Sequence, residues 1–467
     1  MKSEVSSHTR GRLRRLEQLI WFLVPLALSA PAFGQEDKET APSQETPPAA
    51  EAEKESRGDV PTLARKDAIS IAVEHNHDVR ISRTETDIAE RNVSLGNAGF
   101  LPTIEGVASQ NHVFGGSGLF GSGQIFTRTS MGVQLDWLLF GGFGRISTYD
   151  RLQAVRSASQ LETEAAIEET LVSVTTSYWN VVRQRELLNA IAETRDLSEE
   201  RVRIARGRLE AEMGSRVDVN LARVELSRDR SSYAEQRIAL VEAKTELNRV
   251  LGRPADKRFR VDGQIEIADS IAYHRMRKLA LENNRRLLAT KRRRTASVER
   301  VDEAQAQRWP RVNLGLGYIY TGFHSGVTPN FDVAPSLEYT ISLSVPIFDG
   351  FNINREIENS KSERVVSDYR VEREKTRIRA AVRNSHEAYR RHLERVELAE
   401  NSVGLARDNV EVAMTQLEAG TITQVELRQV QLNLLDAQTR LINAKYEAKQ
   451  AELELLRLTG QLYDREM

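Results

Sequence analysis

The sequence contains no cysteine. That excludes disulfides, thiolate metal sites and a catalytic thiol, and it excludes a lipid anchor carried on an N-terminal cysteine. Charge of one sign is also missing: 66 Lys and Arg stand against 67 Asp and Glu, for a formal net charge of -1. A uniformly basic nucleic-acid binder is therefore not expected, and nucleic acid is not a predicted partner. Aromatic residues make up 6% of the chain and charged residues 28%, a balance that suits long solvated helices better than a compact globule. There is no Gly-rich phosphate loop, no GxSxG and no HExxH. His75 and His77 stand two apart and cannot share a helix face. His386 and His392 lie in helical sequence without the carboxylate-and-His spacing of a metal site. Arg292, Arg293 and Arg294, close to Glu299 and Glu303, read as a solvated face. No catalytic constellation, metal site or cofactor site is expected, and the chain does not read as an enzyme.

Long apolar runs are scarce. The one at Leu19 to Ala30, interrupted by Pro25, is too short to span a bilayer. Arg10, Arg12, Arg14 and Arg15 precede it, and the small residues Ala30, Ala32 and Gly34 follow. Residues 1–34 are expected to be a secretory signal peptide cut near Gly34-Gln35, with a short membrane anchor as the alternative. Residues 35–60, rich in Pro, Glu and Ala, carry almost no large apolar side chain and are predicted to be a disordered linker.

What the chain does have is one long pattern written twice. Leu101-Pro102 answers Trp309-Pro310, 208 positions on, and Leu139-Phe140-Gly141-Gly142 answers Ile347-Phe348-Asp349-Gly350. Leu209-Glu210-Ala211 answers Leu417-Glu418-Ala419, Leu251-Gly252 answers Thr459-Gly460, and Asn76 and Asp218 fall opposite Asn284 and Glu426. A repeat of this length sets the fold, so it is read before anything else. The first repeat covers 61–254, a linker 255–269, the second repeat 270–460 and a C-terminal tail 461–467. Each repeat is helix, strand, strand, helix, helix. In the first these fall at 62–98, about 102–113, about 127–140, 145–211 and 216–251, with a Gly/Ser/Phe loop at 114–125. In the second they fall at 270–307, about 310–321, about 336–348, 352–418 and 423–459. A helix over 145–211 is about 100 Å long and the two shorter ones roughly 55 Å each, at ~1.5 Å per residue. Stacked end to end, the short ones match the long one.

Three of the strands alternate. Met131, Val133, Leu135, Trp137 and Leu139 share one face against Ser130, Gly132, Gln134 and Asp136. Tyr339, Ile341, Leu343, Val345 and Ile347 oppose Glu338, Thr340, Ser342 and Ser344, and Val312, Leu314, Leu316, Tyr318 and Tyr320 oppose Arg311, Asn313, Gly315 and Gly317. Such a period suits strands with lipid outside and water inside, or an amphipathic sheet on a soluble core. Four strands cannot close a barrel, and open edges cannot face lipid. Two chains would give eight strands, and three would give twelve with room for a pore; the sequence leaves the number open. The long helices carry two opposed heptad seams. In the second copy they are Val382, Tyr389, Val396, Val403, Val410 and Leu417, then Leu398, Leu405, Val412 and Ala419. In the first they are Val174, Val181, Leu188, Val202 and Leu209, then Ala190, Leu197, Ile204 and Ala211. Two seams imply a neighbour on each side, as in a wall of helices; a bundle with one broad stripe is the alternative. The other faces, rich in Arg, Glu, Asp and Gln, are expected to meet water.

The hairpin tips hold the candidate site. Gly420 permits a tight reversal before Thr421-Ile422-Thr423-Gln424-Val425-Glu426, and the first copy has its glycine two residues later, at Gly214. In a ring of chains Asp218 and Glu426 would recur around the axis and attract cations. Equally, each is an acid in the first turn of a helix, where the dipole favours it.

Together the Leu-Pro before the strand pair, Pro346-Ile347-Phe348-Asp349-Gly350 with Leu138-Leu139-Phe140-Gly141-Gly142, the tip from Leu417 to Glu426 and the closing Leu-Gly or Thr-Gly resemble the TolC-like outer membrane efflux proteins, over about 61–460. The resemblance implies an α+β membrane protein and a homotrimer. Its twelve-stranded β-barrel would sit among outer membrane lipid, continuous with a periplasmic α-helical barrel. It implies a passive exit duct of a tripartite efflux or type I secretion system, without cofactor or catalysis, served by a periplasmic adaptor (membrane fusion) protein and an inner membrane pump of RND, ABC or MFS type. Glu426 would line the constriction and Asp218 would help hold the closed state. The family's second constriction acid is Gln429 here, so the acid ring is single. The latching Arg and Tyr of the family fall on Ile422 and Leu417. The tips, Gly214, Ser215, Gly420 and Thr421, would meet the adaptor. A non-transporting helical scaffold of the bacterial envelope is the other reading.

Overall fold

A computed structural model describes residues 60–115, 124–268, 271–325 and 332–462. The expected signal peptide, all but the end of the 35–60 linker, most of the 114–125 loop and the end of the tail lie outside them. In chain order the elements are β1 (Thr62–Leu63), α1 (Arg65–His75), α2 (His77–Asn92), β2 (Thr103–Gly115), β3 (Gln124–Gly141), α3 (Gly144–Glu210) and α4 (Arg216–Val250). Then come β4 (Arg260–Val261), α5 (Tyr273–Asn283), α6 (Arg285–Ala306), β5 (Arg311–Ser325), β6 (Asp332–Ser344), α7 (Asn352–Glu418) and α8 (Gln424–Leu458). Helices α3 and α7 have 67 residues each, α4 and α8 have 35 each, so the two halves match in length as well as in order.

The helices expected at 62–98 and 270–307 each break in two, at Asn76 and Asn284. Asn76 is extended, and its side-chain oxygen accepts the Asp78 N–H at 2.8 Å and the Val79 N–H at 3.3 Å, an N-cap for α2. Its Nδ2 donates to the Val250 carbonyl at 2.9 Å, at the end of α4. Asn284 repeats the device, accepting from Leu287 N–H at 3.1 Å and donating to the Leu458 carbonyl at 3.1 Å. One amide thus ends one helix and starts another, and the short helices meet end to end against the long one. The approach is so close that a Cβ on Gly252 would lie 2.5 Å from the His75 carbonyl oxygen, and one on Gly460 would lie 2.8 Å from that of Asn283. The result is four tracks. Away from the strands α4, α3, α8 and α7 pack side by side in that order; beside the strands α3 packs on α2 and α6, and α6 on α7.

The main sheet is antiparallel in the order β2-β3-β5-β6, with the two repeats joined where β3 pairs β5, Met131 opposite Tyr320. β6 stops at Ser344 rather than at about 348, because Pro346 has no N–H for the ladder. β5 runs further than expected, to Ser325. The apolar face of β6 is uncovered: Leu337 and Tyr339 are 76% and 77% exposed. At the strand-to-helix junctions Phe143 and Phe351 sit in the left-handed region at φ 65°, each edge-on to Phe140 or Phe348 with ring centroids 5.4 Å apart.

The expected 255–269 linker contains a strand. β4 pairs in parallel with β1, Thr62 with Arg260 and Leu63 with Val261. Tyr178 on α3 donates its hydroxyl to the Asp262 carbonyl at 2.8 Å and the Leu63 carbonyl at 3.2 Å, and Arg185 donates to the Val261 and Gly263 carbonyls. The largest core gathers around this strap, with Leu63, Ile69, Val181, Leu247, Phe259 and Val261 among its members. Among the described residues no helix is long and apolar enough to cross a membrane.

Candidate functional site

The two hairpin tips share one backbone path. Each long helix closes with a left-handed residue and a pair of return hydrogen bonds. At the first tip Glu212 N–H meets Leu209 O at 3.1 Å and Met213 N–H meets Arg208 O at 2.8 Å; at the second Gly420 N–H meets Leu417 O at 3.0 Å and Thr421 N–H meets Gln416 O at 2.9 Å. The left-handed residue of the second tip is Gly420, at φ 78°, as expected. In the first it is Glu212, at φ 58°, and not Gly214. The offset of the repeat is kept, and a glutamate takes a conformation that costs a non-glycine residue roughly 1–2 kcal/mol.

The next helix then opens with a capping box in both tips. Ser215 hydroxyl accepts the Asp218 N–H at 3.2 Å while the Asp218 carboxylate accepts the Ser215 N–H at 3.1 Å. Thr423 and Glu426 do the same at 3.2 and 2.7 Å. The backbone N–H of Thr423, then its hydroxyl, hold the Glu426 carboxyl below the usual glutamate range, so it is an anion at neutral pH. Its side chain is exposed; Asp218 is half-buried. Gln429, exposed and one turn on, donates to Asn433 at 3.0 Å. Ile422 and Leu417 serve an apolar core with Leu427 and Ala413, into which Ile204 of the first hairpin packs. Arg208 Nη1 ties the tips together by donating to the Leu417 carbonyl at 3.2 Å.

Above the tips lies a cluster that the sequence reading misses. Arg428 on α8 donates to both carboxylate oxygens of Asp229 on α4 at 2.7 and 2.8 Å and lies 3.3 Å from Glu225. Ser198 on α3 donates to Asp229 at 2.6 Å. Arg201, 1% exposed, donates to Gln431 at 3.1 Å and Gln424 at 3.3 Å. Burial and the Arg428 charge pull the Arg201 pKa down. These faces were expected to meet water; instead they form a buried polar bridge between the first hairpin and α8. The signal available in sequence was position: Ser198, Arg201 and Ala205 stand three and four apart, on the helix side that carries Leu197 and Ile204.

The other singled-out residues are structural. Two of the three arginines are not merely solvated: Arg293 donates to Glu162 at 2.6 and 2.7 Å, and Arg294 pairs with Asp368. A ring nitrogen of His386 lies 2.9 Å from the Ile271 carbonyl, and His392 sits 3.3 Å from Glu447. Among the described residues no group of three or more His, Cys, Asp or Glu could hold a metal ion.

Both layers end in unmet edges. β2 and β6 border the sheet, and α4 and α7 border the row of helices. The second heptad seam of α3 is occupied within the chain: Ala190 is buried, and Leu197 and Ile204 are half-buried. The same seam on α7 is bare, with Leu398, Leu405 and Val412 57–68% exposed.

The family model for outer membrane efflux proteins matches residues 68–253 and again 276–461. The chain is 26% identical to the CyaE protein of Bordetella pertussis over 421 residues, 86% of this chain and 84% of that one. It is 22% identical to the outer membrane efflux protein BepC of Brucella suis over 404 residues, 85% of each. Its fold superposes on the Campylobacter jejuni CmeC outer membrane channel with a TM-score of 0.73 at 16% identity, covering 93% of this chain and 94% of that one. The chain belongs to the outer membrane efflux protein family, an outer membrane protein with a periplasmic tunnel.

Proposed function

We propose that three copies of the chain pool their four-stranded sheets into a twelve-stranded barrel, and their helices into a tunnel continuous with it. The assembly is a passive exit duct for efflux or type I secretion. A periplasmic adaptor engages the tips around Gly214, Ser215, Gly420 and Thr421, and an inner membrane pump supplies the driving force. Residues 61–254 and 270–460 act as the two repeats of each copy, behind a cleaved signal peptide. The observation that carries the reading is the pair of matching open edges. An uncovered apolar strand face requires lipid, and an unpaired strand edge in lipid costs several kcal/mol per group. A single chain has both, and only a closed ring of copies removes the edge while keeping the face.

Heat-resistant trimers in detergent that conduct ions across planar bilayers are the expected result; monomeric, water-soluble protein after signal removal would support an envelope scaffold instead. Within the duct, Glu426 lines the constriction with Gln429 one turn on, and Asp218 helps hold the closed state. Capping and lining are compatible for Glu426, because the carboxylate that caps Thr423 keeps its charge and its exposure. Glu426→Ala is expected to weaken block by divalent cations, and Glu426→Lys to weaken it further. Unchanged block in single-channel recordings removes Glu426 from the constriction.

A further inference from the structure

The waist of the chain carries a cationic groove that neither the tips nor the sheet explain. It lies where the end of α4 meets the loop before β4, and holds about 480 Å³. Lys244 of α4 and Lys257, Arg258 and Arg260 line it, together with the apolar Val241 and Phe259. Phe259 is buried, with Lys244 Nζ 5.9 Å and Arg253 Cζ 4.9 Å from its ring centre. Asp256 is the one acid among the described residues of the lining. Arg249, nearby on α4, pairs with Glu246; the four groove cations enter no ion pair among the described residues. The second repeat does not copy this arrangement, because the counterpart of Lys244 is Glu452, whose carboxylate accepts from Lys449 at 3.1 Å.

The groove is held in shape. Asn248, 1% exposed, donates to the Ala255 and Lys257 carbonyls at 3.0 and 2.9 Å and accepts from Arg253 Nε at 2.7 Å. Arg260 N–H meets the Pro61 carbonyl at 3.0 Å. Like charges are thus pinned close together. Burial, then the charge of Arg260, pull the Lys244 pKa down, and Arg253 Nη2 is buried without a hydrogen-bond partner. An anionic occupant would relieve both strains.

We infer that this groove binds the peptide stems of the cell wall, short chains of alanine and diacid residues with free carboxylates, and so fastens the duct to that mesh at its waist. Position narrows the choice of partner first. Lys244 stands about 40 Å along α4 from Arg216 at ~1.5 Å per residue, away from a partner seated on the tips. Helix α2, with 16 residues, separates the strap from the sheet by about 24 Å at the same rise, away from lipid headgroups. Chemistry narrows it further. The cations ask for carboxylates, and Phe259 and Val241 accept methyl groups that a bare anion lacks. On the ring reading above, the groove recurs at one height around the duct, and a polymer with repeated stems fills several at once, gaining avidity.

The test is sedimentation of the full-length protein, purified in detergent, with purified peptidoglycan sacculi at low ionic strength, where charge contacts are least screened. The unaltered protein is expected to sediment with the sacculi, and to stay in solution once an amidase has removed the stems. Lys257→Glu with Arg258→Glu, both exposed, is expected to lower the bound fraction about tenfold. Lys257→Arg with Arg258→Lys should retain binding. So should Arg364→Glu with Arg370→Glu, a reversal of two exposed α7 cations outside the groove. No binding by the unaltered protein, equal losses in both reversal variants, or equal binding to stripped glycan strands overturns the inference. Binding of poly-glutamate but not of sacculi also overturns it, in favour of an acidic protein segment. Loss of the oligomer in the groove variant alone, read by native mass spectrometry, overturns it by making the groove a contact between copies. A protein that conducts ions in planar bilayers yet fails to sediment sinks this inference and leaves the duct reading standing.

Discussion

The two hairpins are built on one backbone plan and face different neighbours. Both tips turn through a left-handed residue and restart with a capping box, yet the flank of α3 is closed by α8 through Arg201, Arg428 and Asp229, whereas the flank of α7 is bare. The difference teaches that a repeat conserves what the chain must do locally and frees what it meets laterally. Removing one partner of the bridge should break the comparison most directly. Asp229→Ala removes the two-oxygen partner of a largely buried Arg428 and leaves it Glu225 at 3.3 Å, a loss expected to cost about 1–3 kcal/mol. Asn220, the first-repeat counterpart of Arg428, is exposed, and Asn220→Ala should cost less than about 1 kcal/mol. Denaturant unfolding followed by circular dichroism compares the two, and equal losses would contradict the asymmetry.

The tips sharpen it further. Leu417 is fully buried and its counterpart Leu209 is half-buried, so Leu417→Ala is expected to cost about 2–5 kcal/mol and Leu209→Ala clearly less in the same assay. At the left-handed position the sign reverses between hairpins. Gly420→Ala should destabilise its tip by about 1 kcal/mol or more, and Glu212→Gly should stabilise the other by up to about that amount, read as protease nicking rates at each turn. The smallest effect is acid-induced. Because Thr423 lowers the Glu426 pKa below its unfolded value, the cap is fully formed above the ordinary glutamate range and is lost as pH falls through the lowered value. Hydrogen exchange at the start of α8 should rise only in that acidic window; Glu426→Gln should abolish the pH dependence, while Thr423→Ala, which keeps the backbone N–H that Glu426 accepts, should only weaken it.

Much of this was legible in the chain. Met131, Val133 and Leu135 alternate because a strand's period is two, and Val382, Tyr389 and Val410 recur because a helix seam's period is seven. Those periods survive any tertiary context. The break at Asn76 was not legible, since apolar spacing continues across it from Val73 to Val79 and the amide's partner, Val250, is 174 residues away. Nor was the strap: β1 and β4 have two residues each, too few for any period. The polar bridge stayed hidden for a different reason. Arg201 and Asp229 are among the residue types least often buried, and only the facing helix reveals that they are. At the tip, Gly214 drew attention as the turn glycine, but the offset itself pointed to Glu212, and the backbone followed the offset. The family's constriction pattern placed Glu426 and Gln429 on the tip, and both are exposed there.

The amide joints at Asn76 and Asn284 have one more consequence. They fix where each composite rod changes from one segment to the next, so the rods cannot slide past the continuous ones beside them. Span then becomes quantised. Deleting seven residues from α3 alone would leave its neighbours overhanging by about 10 Å, but the same excision made in all four tracks would shorten the conduit by one step and leave every joint intact. A duct of this design has its reach across the compartment written into it like marks on a ruler.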